Sequence, residues 1–370
     1  MRSMRWWVGL VVLGLALPGM AATPGGLSQA TTQSGHAVAL FYMTNDPKSI
    51  RDFFAHSSQI DLLVPTWYQV DENGLVVGEP EPAVLAQAQN EKLPVMPIVA
   101  LFNKRSFHLL ATSEKAQAEM NAALVRECKL HGYAGFQFDF ENIEWTDRDA
   151  LSALVARSAA ALHHAGLQLS IATVPNAPGY PSNAGFAKWI YTDWRGAYDL
   201  AAIGKAVDLV CLMTYDQNTR WTTPGPVAGW QWTVDNMQYA LQTVPKEKLS
   251  LGIPLYGYHW YTGPPSVTPA AREGEAPVEK PNPTADYISA PDAMLLAHDW
   301  NGKIEWDAED RSAWFYFYRD QMREWIFFTD LRTFRERYEL AQQNGLEGFC
   351  SWVLGEEDPA IWGILPKRHP

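Results

Sequence analysis

Residues 135–141 read Gly-Phe-Gln-Phe-Asp-Phe-Glu. Side chains alternate across a strand, so Phe136, Phe138 and Phe140 share one face and Gln137, Asp139 and Glu141 the other. Burying two carboxylates side by side is costly, which makes this strand poor structural material unless the acids form a salt-bridged core or lie on a solvated edge. Two close carboxylates in a dry site resist double ionisation, so one keeps a proton at neutral pH. Glu141, nearer the strand end, is the better placed acid; Asp139, deeper, can hold charge and hydrogen-bond to its neighbours. A protonated carboxyl facing a glycosidic oxygen is what glycoside cleavage requires. The strand cannot supply a second carboxylate from across the scissile bond, because residues two apart point the same way. The nucleophile then comes from another strand or from the substrate itself.

The elements that must position this strand follow a simple alternation. Strand-like runs occur at Ala37–Met43, Ile60–Trp67, Leu93–Leu101, Gly135–Glu141, Gln168–Val174, Val207–Tyr215, Leu249–Tyr256 and Leu346–Trp352. Helical patterns such as Ser113–His131, Asp147–Ala165, Trp232–Leu241 and Asp330–Asn344 lie between them. Such alternation predicts a parallel sheet with right-handed crossovers, and eight units predict an α/β fold of the closed (β/α)8 TIM-barrel type. Residues 37–365 form the barrel domain in this reading, and Asp139 and Glu141 fall at the C-terminal end of its fourth strand, where barrel enzymes keep their chemistry. Residues 258–328 read as an insertion between strands seven and eight, with a Pro- and Glu-rich loop over 262–290 and short antiparallel strands over 303–328.

The chain has 370 residues, a formal charge of −12 and 16 Trp. The acidic balance argues against a nucleic-acid partner, since no excess of Lys or Arg exists to neutralise phosphates. Arg2 and Arg5, the apolar run Trp6–Leu17, the break at Pro18-Gly19 and the small residues Ala21-Ala22 predict a signal peptide over 1–22, followed by a polar linker over 23–36. The expectation is an exported protein, periplasmic or extracellular, with no transmembrane segment in the mature chain. Cys128, Cys211 and Cys350 are odd in number and widely spaced, which suits buried free thiols better than a disulfide framework or a zinc site.

Residues 134–141 resemble the signature of glycoside hydrolase family 18, Asp-Gly-x-Asp-x-Asp-x-Glu, with the last acidic pair kept and Ala134 and Gln137 in place of the first two aspartates. Amide replacement of the second aspartate, and the run Glu141-Asn142-Ile143, resemble the branch of spore-cortex-lytic and spore-germination hydrolases. Cys211-Leu212-Met213-Thr214-Tyr215-Asp216 resembles the family's Met-x-Tyr-Asp at the sixth strand. Leu251–Tyr258 resembles its seventh strand, and Gly348–Trp352 with Gly355–Asp358 its eighth-strand tryptophan segment. The resemblance spans residues 37–365, with all of these stretches in register.

The resemblance implies that the substrate's C2 acetamide is the nucleophile, with retention of configuration, and that no metal or organic cofactor is required. By the same carry-over, Glu141 protonates the leaving oxygen, Asp139 accepts the acetamide N–H, and Tyr215 hydrogen-bonds the acetamide carbonyl. Asp216 and Met213 line the sugar site and Trp352 forms its apolar floor, with Tyr256 on the seventh strand. Gln137 cannot ionise, which leaves Asp139 and Glu141 as the dyad; Gln137 either donates to Asp139 or packs. Tyr42, Asn45, Trp67 and Asn176 lie at or just past strand ends, and Trp230, Trp232 and Trp260 are candidate sugar platforms; each has an equally ordinary packing role. His163-His164, Asp307 and Glu309 read as solvated side chains. The expected partner is a polysaccharide containing β-1,4-linked N-acetylglucosamine, either peptidoglycan or chitin-like. A broad chitinase and a non-catalytic lectin of the same fold are the alternatives; a structural envelope protein would leave Glu141 without a role.

Overall fold

The computed structural model describes residues 37–176, 188, 190–261, 266–268, 278–280 and 285–368, so the expected signal peptide and linker lie outside the described residues. Eight parallel strands make the barrel: β1 Val38–Met43, β2 Leu62–Pro65, β3 Ile98–Leu101, β4 Gly135–Phe140, β5 Gln168–Thr173, β6 Leu209–Leu212, β7 Leu249–Pro254 and β8 Gly348–Trp352. Their order is β2-β1-β8-β7-β6-β5-β4-β3. A bridge between Leu63 and Val95 closes the ring, carried by Leu63 N–H to Pro94 O (3.0 Å) and Met96 N–H to Leu63 O (2.9 Å). Beyond Pro65 the chain re-enters the sheet at Tyr68–Val70, which pairs with β3 and turns back through Val76–Gly78.

Alternation sorts the core into two shells. In β1, Val38, Leu40 and Tyr42 point into the barrel while Ala39, Phe41 and Met43 face the helices. In β4 the outer face is Phe136, Phe138 and Phe140, all fully buried, with Phe140 against Phe107 of the helix Lys104–Thr112. Each such ring stabilises the fold by about 1.5–3 kcal/mol through burial, and the three together fix which way Asp139 points. Gly135 is required by close approach, since a Cβ there would lie 1.9 Å from the carbonyl oxygen of Gln168 on β5.

Helix ends agree with local chemistry. Ser113 caps Glu114–His131 through its hydroxyl, Gly132 ends that helix in the left-handed region, and Asp330 caps Leu331–Gln343. Cys128, Cys211 and Cys350 are buried and free. Among the described residues no helix is long and apolar enough to cross a membrane.

The segment between β7 and β8 is more regular than the sequence suggests. Its sheet begins at Tyr256, two residues before the expected insertion, and has the order 285–289, 256–260, 322–328, 312–319, 305–307. Residues 285–290, expected in a loop, carry the strand Ala285–Ser289 and the start of the helix Ala290–Asp299; most of the expected loop, between 262 and 284, lies outside the described residues. Ser289 caps that helix and Pro291 occupies its first turn. The helix covers one face of the sheet through Ala293, Ala297, Phe315, Ile326 and Phe328. Fully buried Arg337 ties the insertion to the barrel, donating to the carbonyls of Arg311, Asp310, Thr333 and Ala228.

Candidate active site

At the C-terminal end of the strands lies a cavity of about 330 Å³ lined by Phe102, Asp139, Glu141, Pro175, Trp194, Met213, Tyr215, Asp216, Tyr256 and Trp352. The sequence-identified Glu141, Asp139, Tyr215, Asp216, Met213, Trp352 and Tyr256 therefore converge on one space, although they come from β4, β6, the start of the insertion and β8. Glu141 follows the last residue of β4, held by its N–H on the carbonyl of Leu101 at 3.1 Å. Behind the strand, Tyr198 donates its hydroxyl to the carbonyl of Phe140 at 2.6 Å.

Electrostatics separate the acids. Burial, reinforced by the negative charge of Asp216, raises the Glu141 carboxyl to about 7. Burial, with the charge of Glu141 second, raises Asp139 well above the usual carboxylate range. The two titrate as a pair, and the pair retains a proton at neutral pH. Asp139 Oδ1 is buried without a hydrogen-bond partner among the described residues. An unpaired buried acceptor is costly, and this one belongs to a residue that lines the cavity. Asp216 sits in the left-handed backbone region, with φ +60°. It accepts hydrogen bonds from Tyr256 (2.6 Å) and Tyr258 (3.1 Å). Burial raises its carboxyl, against these two bonds and the charge of Arg220.

Other candidates fall elsewhere. Gln137 is fully buried and donates to Ser170 Oγ (2.8 Å) and Cys211 Sγ (3.1 Å), not to Asp139. Its amide turns toward β5 and β6 below the cavity, which corrects both the expected donation to Asp139 and a contact with sugar. Tyr42 is buried beside Trp352, ring centroids 5.3 Å apart, on the neighbouring strand β1. Trp67 belongs to the outer core and donates its indole N–H to Asn45 Oδ1 at 3.2 Å, so neither residue lines the cavity. Asn176 is buried past β5 and off the cavity wall. Trp230 lies under the Arg311 guanidinium (3.7 Å), and Trp260 is buried with its N–H on the carbonyl of Thr222 (3.0 Å). His163 pairs with Asp208 at 2.8 Å, and Asp307 accepts from the N–H groups of Glu309 and Asp310 in a tight turn.

Three lining residues escaped the sequence reading: Phe102, Pro175 and Trp194. Phe102 directly follows β3 and Pro175 lies two residues past β5, so position at a strand end was the available signal. Trp194 lies in the short π-helix Tyr191–Arg195, with the Arg195 guanidinium 5.2 Å from its ring; no periodic pattern marks it.

The arrangement combines an acid raised to near neutrality, a buried orphan acceptor, a tyrosine and a tryptophan floor in one small space. The family model described as Glycosyl hydrolases family 18 matches residues 38–357. The chain is 23% identical to the uncharacterized glycosylase YvbX of Bacillus subtilis, over 98% of both chains. It is 25% identical to the cortical fragment-lytic enzyme of B. subtilis, covering 81% of this chain and 66% of that one. Among solved structures, a chitinase from Chromobacterium violaceum superposes with a TM-score of 0.76 at 24% identity, over 89% of this chain and 98% of the other.

Proposed function

The chain belongs to glycosyl hydrolase family 18 and is a glycosidase, and we propose that it cleaves β-1,4-linked N-acetylglucosamine glycan by substrate-assisted, retaining catalysis. The observation that carries this reading is the orphan acceptor Asp139 Oδ1 beside Glu141. A bound acetamide N–H would satisfy that oxygen. It would also favour the charged form of Asp139, leaving the pair's proton on Glu141.

Glu141 donates its proton to the glycosidic oxygen as the C1–O bond breaks. The acetamide carbonyl oxygen forms a bond to C1 from the other face, giving an oxazolinium ion. Charged Asp139 stabilises the positive nitrogen, and Tyr215 donates to the acetamide oxygen to aim it. Trp352 supplies the apolar floor against the sugar ring. Glu141 then takes a proton from water, whose oxygen bonds to C1 and reopens the oxazolinium with net retention.

The likeness to a cortical fragment-lytic enzyme and the amide at Gln137 favour cell-wall glycan over chitin as the polymer. The charged and apolar start of the chain supports an exported enzyme acting in the periplasm or outside the cell. The test is a matched pair of oligomers, one with the −1 acetamide intact and one with a free amine there. Cleavage of the first alone is expected; equal cleavage would place the nucleophile on the protein.

A further inference from the structure

Helix Ala290–Asp299 is too slight to cover the whole of its sheet face. Its alanines Ala290, Ala293 and Ala297 pack with Phe315, Ile326 and Phe328. The next stripe, Asp292, Leu295, Leu296 and Asp299, has the spacing that sets residues along one side of a helix. Between that stripe and the rest of the sheet face lies a second cavity, of about 760 Å³. Strand register puts His259, Asp286, Glu324 and Arg319 on this face, whereas Tyr258 and Trp260 point the opposite way, into the cluster that holds Tyr215. The two cavities therefore lie on opposite sides of one sheet. Ala290 N–H donates to the carbonyl of Glu356, just past β8, at 2.8 Å, which keeps the helix at the catalytic end of the barrel.

The cavity floor is charged and fixed. Glu324 is 5% exposed and pairs with His259 Nε2 at 2.6 Å and Arg319 Nε at 3.4 Å. The Arg319 guanidinium stands 4.8 Å from the Trp300 ring and 5.5 Å from Phe317. Burial holds the His259 imidazole below its ordinary range, which leaves Arg319 as the cation that Glu324 meets. Of the remaining carboxylates, Asp292 pairs with Lys48 at 3.3 Å. Asp286 lies beside the Tyr261 hydroxyl, and Asp299 beside the His298 imidazole at 3.1 Å. Among the described residues neither Asp286 nor Asp299 has a Lys or Arg partner.

We propose that this cavity is a second binding site, and that it takes the amine-bearing peptide branches of a cell-wall glycan. The proposal rests on the glycan reading above and narrows it to a peptide-substituted polymer. The volume is that of a site for a small organic ligand or a short peptide segment. Asp286 and Asp299 supply acceptors for an ammonium group, and charge-assisted bonds of this kind are the strong ones. Leu295, Leu296, Ile288 and Met322 give its methylene stem an apolar wall. The Arg319 side chain, 40% exposed, answers a peptide carboxylate. Chitin offers neither group, because its nitrogens are acylated and it carries no peptide.

The test uses the full-length protein carrying Glu141→Gln, so that binding is read apart from cleavage. Cosedimentation is measured with peptidoglycan sacculi whose peptide amines are free and with the same sacculi after acetylation of those amines. Acetylation is expected to weaken binding about tenfold, the loss of one hydrogen bond to a charged group. Asp286→Asn with Asp299→Asn should remove that difference. Leu295→Lys should remove it as well, by setting a tethered ammonium over the cavity from a residue 58% exposed; it carries the test if the asparagine pair fails to fold. Glu114→Gln with Glu119→Gln changes two exposed carboxylates on another helix and should leave the difference in place. Equal binding of free and acetylated sacculi overturns the proposal. So does an amine effect that survives both cavity variants, or one that the Glu114 and Glu119 pair also abolishes. Cleavage of a short chitooligosaccharide is followed separately with Glu141 restored. Cleavage without amine-dependent binding leaves the cleavage reading standing and the cavity proposal overturned. Amine-dependent binding that the cavity variants remove, without cleavage of any glycan, upholds the cavity and fells the cleavage reading.

Discussion

Tyr256 donates its hydroxyl to Asp216 at 2.6 Å, so the first residue of the insertion sheet holds the carboxylate that closes the Met-x-Tyr-Asp run after β6. The bond bears on catalysis at one remove. The charge of Asp216 adds to burial in raising Glu141, and the Tyr256 bond favours the charged form of Asp216 against the cost of burial.

The pH profile should report that chain of influence. Glu141 must be protonated to act as the acid, and its carboxyl lies at about 7. kcat/KM is expected to fall about tenfold per pH unit once the Glu141–Asp139 pair loses its last proton, since the log of the rate tracks the protonated fraction. Asp216→Asn removes the negative charge that raises Glu141, so the basic limb moves to lower pH. Tyr256→Phe should move it the same way by less, because Tyr258 still donates to Asp216 at 3.1 Å. Rate measurements from pH 5 to 9 with a fixed short oligomer check both; a limb that stays in place or rises would contradict the assignment.

Glu141→Gln keeps the shape of the site and removes the proton donor. General acid catalysis is worth about 10²–10⁴-fold, so kcat should drop by about that factor while oligomer affinity stays within a few-fold. Single-turnover kinetics and calorimetric titration separate the two.

Asp139→Asn tests the orphan acceptor. An amide keeps an oxygen able to accept the acetamide N–H but cannot offset the oxazolinium charge. A loss in kcat of about 10²-fold is expected, comparable with losing one electrostatic stabiliser. The loss should shrink on a substrate with an activated leaving group, provided formation of the oxazolinium is no longer limiting.

A fourth expectation concerns stability rather than rate. Glu357 is 2% exposed, accepts from Gly355 N–H and Trp362 Nε1–H, and is raised by burial to about 8. A carboxyl raised on folding contributes stability that is complete below its unfolded value near 4.3 and is lost as pH rises through the folded one. Thermal melting should therefore drop between pH 5 and 9, and Glu357→Gln should flatten that slope. The effect is on the order of a few kcal/mol at most.

The barrel was legible because its signal is periodic and repeated. Each strand run carries its own outward and inward sets, as Phe136, Phe138 and Phe140 against Asp139 and Glu141 do in β4. Glu141, Tyr215 and Trp352 were legible from their place at strand ends, a signal that Phe102 and Pro175 also carried but that an apolar ring and a proline did not make stand out. Gln137 misled because alternation says that a side chain points inward, not how deep it lies; it lies two residues below Asp139 on β4 and is fully buried. Trp67 misled because the chain leaves the strand at Pro65, which turns the indole outward to Asn45. The helix Ala290–Asp299 was hidden by the Pro-rich run before it, although Ser289 and Pro291 are a proper helix start.

The two tyrosine bonds to Asp216, with the indole bond from Trp260 to Thr222, also constrain engineering. A chimera that exchanged residues 256–328 alone would import a wall without its latch. Recombination within this fold should instead transplant the β6 loop, the following helix Trp230–Ala240, β7 and the insertion as one cassette, cut before Tyr215 and rejoined after Phe328.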